Sequence, residues 1–202
     1  MKVFGHPMST CTRKVLMTLA ETGTPHEMVM VDLAKGEHKA AEHVARQPFG
    51  QLPAIEDDGF GMYESRAIIR YLDDKAGHKL TPKGAREKAV MEQWISVETS
   101  DFTPHAMTFI YEHIFKRPQG DEKLAAAGKQ LDVALKVMDT ELGKNTFLGS
   151  STMTLADIGY MPYVEYLMAT PAKAHLEKFP NVMAWWQRVS ERPTWKKVSG
   201  KG

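Results

Sequence analysis

Three short segments within the first 70 residues carry groups suited to holding a peptide and ionising a thiol. Ser9, in Pro7-Met8-Ser9-Thr10, stands just before an apolar-periodic stretch. Its hydroxyl therefore sits at a helix N-terminus, where exposed N–H groups and a partial positive charge favour an anion. Gln51-Leu52-Pro53-Ala54-Ile55 is an extended segment that runs through a proline into a short strand. Glu64-Ser65 opens a second amphipathic stretch, so Ser65 and the first-turn N–H groups form another anion site. A free thiol with a pKa of about 8.5 is only a few per cent thiolate at neutral pH, and lowering it by about two units takes roughly 2.7 kcal/mol. A hydroxyl donor at a helix terminus supplies part of that. Cys11, the only cysteine, is the competing candidate. It lies two positions beyond Ser9, about 200° round a helix, and points elsewhere; it reads as a small buried side chain.

The elements that must position these groups are legible in the periodicity. Lys2–Gly5 reads as a strand broken by His6-Pro7, with His6 a structural residue at its end. A helix follows from Thr10, with Val15, Leu16 and Leu19 on one face and Gly23 past its end. Glu27–Asp32 alternates as a second strand, and Gly36 to about Ala45 is polar and loosely helical. Leu52–Glu56 and Gly61–Tyr63 read as strands joined by a turn at Asp57-Asp58-Gly59, and Ser65–Lys75 as a helix with Ile68, Ile69 and Leu72 inward. The order β-α-β-α-β-β-α predicts a mixed four-stranded sheet in a small α/β layer fold. Beyond a Gly- and Pro-bearing linker the pattern is wholly helical: Leu124, Leu131, Leu135, Met138 and Leu142 share one face, as do Val182, Trp185, Trp186 and Val189. Thr154-Leu155-Ala156-Asp157 is an N-terminal capping arrangement. The expected domains are 1–76, a linker over 77–84, and a helical domain over 85–202.

Bulk composition narrows the classes. The chain has 202 residues, 43% apolar and 25% charged, with 26 basic and 25 acidic side chains giving a net charge of +1. Such a balance offers no field for nucleic acid or anionic lipid, so anion binding is local. One cysteine excludes an internal disulfide, nothing resembles a zinc-ligand pattern, and no apolar run spans a bilayer. The thirteen methionines and the Trp185-Trp186 pair read as core. The expectation is a soluble cytoplasmic protein that binds no metal, nucleic acid or membrane.

The residues together resemble a cytosolic glutathione transferase of the Ser type, closest to the phi class. The carriers are Val3-Phe4-Gly5-His6-Pro7-Met8-Ser9-Thr10, Gly36-Glu37-His38-Lys39, Pro48-Phe49-Gly50-Gln51-Leu52-Pro53-Ala54 and Glu64-Ser65-Arg66-Ala67-Ile68. Thr154-Leu155-Ala156-Asp157 and Tyr166-Leu167-Met168-Ala169-Thr170-Pro171 extend the match into the helical part. The resemblance implies a thioredoxin-like N-terminal domain followed by an all-α C-terminal domain, with glutathione as co-substrate.

It also implies roles. Ser9 would be catalytic, ionising the glutathione thiol for addition to an electrophile or a hydroperoxide. Leu52, in place of the more usual Val or Ile, would pair through its backbone with the substrate, ahead of a cis Pro53. Gln51, Glu64 and Ser65 would hold the γ-glutamyl end, and His38 and Lys39 the glycine carboxylate. The electrophile pocket would lie between Met8, Leu33, Ile110 and Tyr111, with Met8 narrowing its mouth. Phe49 would insert into a partner subunit of a homodimer, with Arg66 pairing across the same interface. Three rivals remain: a carrier of apolar ligands on the same fold, a Cys11-dependent thiol transferase or dehydroascorbate reductase, and a glutathione lyase or isomerase acting on one metabolite.

Overall fold

A computed structural model of the chain describes residues 1–201, which divide into two compact units. The first unit holds four strands, β1 (Lys2–Gly5), β2 (Glu27–Met30), β3 (Ala54–Asp57) and β4 (Phe60–Tyr63). Their order is β2-β1-β3-β4, with β1 and β2 parallel and the other two pairings antiparallel. Two helices, α1 (Thr10–Thr22) and α3 (Ser65–Lys75), pack together, burying Val15, Leu19, Ile68, Ile69 and Leu72. Phe4, Val31 and Ala54 form a separate small cluster with Val29 and Leu52. Near it lies α2 (Ala41–Arg46), whose Arg46 guanidinium stacks 4.3 Å from the Phe4 ring centroid. This is the expected α/β layer, with small shifts at strand ends. In particular β3 starts at Ala54, not Leu52, since Pro53 has no N–H to give a ladder.

The unit boundaries differ from 1–76 and 85–202. The first unit runs on through Leu80, because Asp73 Oδ1 accepts the Leu80 N–H at 2.8 Å and Lys79 Nζ donates to the Thr22 carbonyl at 2.6 Å. It also takes in the chain from Pro193 onward. There α10 (Pro193–Ser199) packs on α1, burying Trp195, and the Thr194 hydroxyl bonds the Glu21 carboxylate.

The second unit, Thr81–Arg192, is helical: α4 (Ala85–Val97), a π-helical turn (Glu98–Phe102), α5 (Thr103–His113), α6 (Asp121–Leu142), α7 (Leu155–Met168), α8 (Lys173–Leu176) and α9 (Pro180–Ser190). Leu131, Leu135 and Met138 of α6 and Val182, Trp185, Trp186 and Val189 of α9 are buried as their spacing predicts. Helix α7 is buried on nearly every side and is the centre of the unit. Its start is the expected capping box: Ala156 N–H donates to Thr154 Oγ1 at 3.2 Å, and Thr154 N–H to Asp157 Oδ2 at 2.9 Å. Asp157 does more than cap. Its Oδ1 also accepts the Leu148 N–H at 3.0 Å and Trp185 Nε1–H at 2.8 Å, tying the α6–α7 connection and α9 to the head of α7. Among the described residues no helix is long and apolar enough to cross a membrane.

Complete burial pushes the Asp157 carboxyl from 3.8 up to about 6, with the four donors opposing the shift. An acid whose folded pKa exceeds its unfolded one holds its proton more tightly when folded. Its contribution to stability therefore falls by roughly 3 kcal/mol as pH rises from about 4 to about 6, and is level above. Urea unfolding of wild type and Asp157→Asn at pH 4 and pH 7 checks this. The stability of wild type minus that of the variant is expected to drop by about that amount at the higher pH, and a pH-independent difference contradicts it.

Candidate functional site

The sheet register gathers the three chemistry-bearing segments at one end of the first unit. Phe4 pairs with Ala54, and Ala54 with Tyr63. Those pairings set the end of β1, the start of β3 and the end of β4 side by side, and the segments that continue from them leave the sheet at one end. The turn into α1, the start of β3 and the start of α3 therefore meet in a row.

Each segment is held by its own device. Gly5 ends β1 hard against α1: a Cβ there would lie 2.7 Å from the Thr12 side chain, so only glycine fits. The His6 ring is structural, its Nδ1 accepting the Met8 N–H at 3.1 Å. Ser9 caps α1, with its Oγ accepting the Thr12 N–H at 3.2 Å. That bond uses a lone pair and leaves the Ser9 proton available for a ligand. No acidic side chain lies in the first turn of α1 to compete for an anion. Cys11 is half-buried in the same turn.

The loop before β3 is clamped from α2 by two residues that the sequence reading overlooked. Buried His43 places Nε2 2.7 Å from the Gln51 carbonyl, and buried Gln47 accepts the Gln51 N–H at 3.0 Å. The only signal was their four-residue spacing, which sets two polar residues on the inward side of a short helix. The Leu52-Pro53 peptide is cis, as the resemblance implies. Leu52 is half-buried, and neither its N–H nor its carbonyl has a partner among the described residues. A backbone edge is thus open beside the Ser9 turn, the arrangement that accepts an extended peptide as an added strand.

Glu64 stands at the N-cap position of α3 with φ 72° and ψ 104°, a conformation rare for a residue with a side chain. Its carboxylate makes no cap bond. The N–H of buried Ser65 is left to an outside anion, and the exposed Glu64 carboxylate to a cation. His38 and Lys39 lie in the 3-10 turn Glu37–Lys39. Lys39 Nζ donates to the Phe49 carbonyl at 3.0 Å, so its ammonium is first a brace for the 49–51 loop, with two protons left over. Gln51 itself is exposed.

Phe49 is 64% exposed at the tip of that loop, with its ring edge-on to Tyr63 at 6.2 Å. Arg66 is half-buried, its carbonyl accepting Arg70 Nη1 at 2.7 Å. Met8 and Leu33 are exposed in the first unit. Ile110 is a correction: it is fully buried, a core side chain of the helical unit with no surface to offer an electrophile. Its neighbour Tyr111 does line a cavity within that unit, of about 490 Å³, with Met107, Thr108 and Arg117.

A family model described as the glutathione S-transferase N-terminal domain matches residues 1–74, and one described as the C-terminal domain matches residues 102–193. Glutathione S-transferase F10 of Arabidopsis thaliana is 36% identical over 203 residues, spanning 96% of this chain and 94% of its own. The crystal structure of glutathione transferase F7 from Populus trichocarpa superposes with a TM-score of 0.93 at 34% identity, covering 99% of this chain and 98% of that one. Glutathione S-transferase I from maize, solved with an atrazine glutathione conjugate, gives a TM-score of 0.90 at 31% identity, covering 99% and 96%.

The positive φ at residue 64 predicts an order of stabilities. Glu64→Gly and Glu64→Ala both lose the carboxylate, but only glycine adopts this backbone without strain. Glu64→Gly is therefore expected to be more stable than Glu64→Ala by about 1 kcal/mol in urea unfolding. The reverse order contradicts the strained conformation.

Proposed function

Because the chain belongs to the glutathione S-transferase family, we propose that it binds glutathione along the open edge at Leu52 and adds its thiolate to electrophilic substrates, with Ser9 as the catalytic hydroxyl. The single observation carrying this reading is the unpaired Leu52 backbone, at the same end of the sheet as the turn whose Ser9 proton is uncommitted. In this scheme the cysteinyl backbone of glutathione pairs with Leu52. The γ-glutamyl carboxylate meets Ser65 and the N-terminus of α3, its ammonium faces Glu64, and Gln51 closes that end. The glycine carboxylate lies towards His38 and the remaining protons of Lys39. The thiol proton leaves to solvent, and the Ser9 O–H donates to the resulting thiolate. The sulfur then attacks the electrophilic carbon as the leaving group departs with its electron pair. With a hydroperoxide, the same thiolate attacks the O–O bond. A second glutathione then completes the reduction, giving glutathione disulfide, an alcohol and water.

The relatives' F-series names and the residues around Ser9 and Leu52 favour the phi class and a serine-type mechanism. The exposed Phe49, braced from behind by Lys39 and edged by Tyr63, favours a homodimer in which this ring enters the partner. The cytoplasm is the proposed location, since free glutathione and a single cysteine outside any disulfide both belong to a reducing compartment. Cys11 chemistry is the second reading, favoured only by its place in the first turn of α1.

Ser9→Gly tests the assignment while sparing the fold, because glycine costs an N-cap only a few tenths of a kcal/mol. Ultraviolet titration of the bound glutathione thiolate should give a pKa well below about 8.5 in wild type and near it in Ser9→Gly. Turnover at neutral pH should fall about ten- to a hundredfold, with a much smaller change in glutathione affinity. An unshifted thiol in both proteins, or activity lost in Cys11→Ala and kept in Ser9→Gly, overturns it. For the dimer, Phe49→Ala should elute as monomer at concentrations where wild type is dimeric. Identical light-scattering masses would remove Phe49 from the interface.

A further inference from the structure

We propose that the cavity between α5 and the start of α6 holds an anionic group of the electrophile, so that the substrates conjugated are apolar electrophiles bearing a carboxylate. This rests on the glutathione-conjugating reading given above and names the class of its second substrate. The cavity lies wholly within the second unit and encloses about 490 Å³, within the range of small-molecule sites. One side is a face of α5 with Pro104, Met107, Thr108 and Tyr111, at spacings that share a helical face. The other is Arg117 and Gln119 of the following loop and Lys123 in the first turn of α6. Tyr111 is the member of this set that the resemblance assigns to the electrophile pocket.

Backbone bonds put the two cations there. Past the end of α5 the chain folds back on the helix, with the Phe115 N–H donating to the Ile110 carbonyl at 3.0 Å and the Arg117 N–H to the Tyr111 carbonyl at 2.8 Å. Lys116 makes the reversal at φ 53°, a left-handed conformation uncommon for a residue with a side chain. The Arg117 guanidinium is thereby laid 5.6 Å from the Tyr111 ring centroid. Gln119 then locks the loop. Its N–H donates to the Glu112 carboxylate, its side-chain amide donates to the Arg117 carbonyl at 2.9 Å, and its Oε1 accepts Lys123 Nζ at 2.6 Å. The loop is therefore ordered before any ligand arrives, which lowers the cost of binding one.

These charges are positioned and uncommitted. No lining residue is acidic, and among the described residues no carboxylate pairs with Arg117 or Lys123. Glu112 is engaged by the Gln119 N–H, and Asp121 and Glu122, exposed in the first turn of α6, do not line the cavity. The Tyr111 hydroxyl has no hydrogen-bond partner among the described residues, whereas the Thr108 hydroxyl is turned to the Pro104 carbonyl at 3.1 Å. A planar guanidinium takes a carboxylate through two parallel bonds, with the ammonium and the phenol as further donors. Met107, Pro104 and the Tyr111 ring offer apolar surface to the body that carries it. A neutral electrophile would leave both cations unused. With a net charge of only +1 over the chain, that preference is local to this cavity.

The test compares glutathione conjugation of 4-chloro-3,5-dinitrobenzoate and of its methyl ester by the full-length protein. In both, the thiolate forms a C–S bond at the chlorine-bearing carbon and chloride leaves with the electron pair. Each kcat/KM is divided by the uncatalysed rate constant, which removes the difference in intrinsic reactivity. Wild type should favour the acid by about fivefold or more. Arg117→Gln should lower the acid-to-ester ratio about tenfold, through KM for the acid, and Lys123→Gln about threefold. Arg117→Lys keeps the charge and should recover part of the loss, which a merely structural role for the loop would not produce. An acid-to-ester ratio unchanged in Arg117→Gln overturns the proposal. Conjugation of the ester in preference to the acid by wild type overturns it too, and leaves the glutathione reading standing. Conjugation of neither overturns both.

Discussion

The register between β1, β3 and β4 is the constraint on which the rest of the site depends. A strand's side chains alternate faces, so a slip by one residue would set Ile55 of β3 on the face that β1 fills with Phe4, and Ala54 on the face that it fills with Val3. Burial of those side chains therefore fixes the pairing. The pairing in turn fixes where the Ser9 turn, Leu52 and Ser65 come together. None of these three residues carries enough binding energy to choose its own position. What decides their juxtaposition is apolar burial several residues away, which is worth far more than any one polar contact at the site.

Around that register the polar groups fall into two kinds. Some are spent inside the protein: His43 and Gln47 on the Gln51 backbone, Lys39 on the Phe49 carbonyl, Asp57 on Lys75 and Tyr71. The Asp57 carboxylate is held below its usual range by these last two donors. Others are left open: the Leu52 backbone, the Ser9 proton and the Ser65 N–H. The first kind makes the second possible, since an open backbone edge stays in place only when its flanks are over-determined. In the helical unit the same logic converges on Asp157. One carboxylate there accepts from four donors in three segments, which offset part of the cost of desolvating it.

How much of this could be read from the chain follows from the range of the interactions. Helix α3 was legible to the residue, because its apolar stripe and flanking residues are local signals. So was the capping box of α7, a four-residue pattern. The resemblance correctly placed the cis peptide before β3. The allegiance of α10 was not legible: a seven-residue helix with one buried tryptophan carries no mark of which unit will bury it. Ile110 was misplaced for a related reason. Sequence shows that one of two adjacent helical residues faces inward, and here it is Ile110, with Tyr111 facing the cavity. His43 and Gln47 escaped notice because polar residues in a short exposed-looking helix usually face water, and only the fold supplies their target.

The positive φ at Glu64 joins these strands of argument. A protein selecting only for stability would place glycine there, as it does at Gly23 and Gly59, where φ is likewise positive. A glutamate kept in that conformation holds its carboxylate away from the helix end that it would ordinarily cap, so the Ser65 N–H and the acid are presented side by side and both unspent. That pairing of an anion site with an adjacent cation site suits the α-carboxylate and α-ammonium of an amino-acid group, which are held a fixed distance apart. A net charge of +1 over the whole chain cannot make such a distinction. On the proposed reading, selectivity for a zwitterionic end would come from the backbone geometry at residue 64.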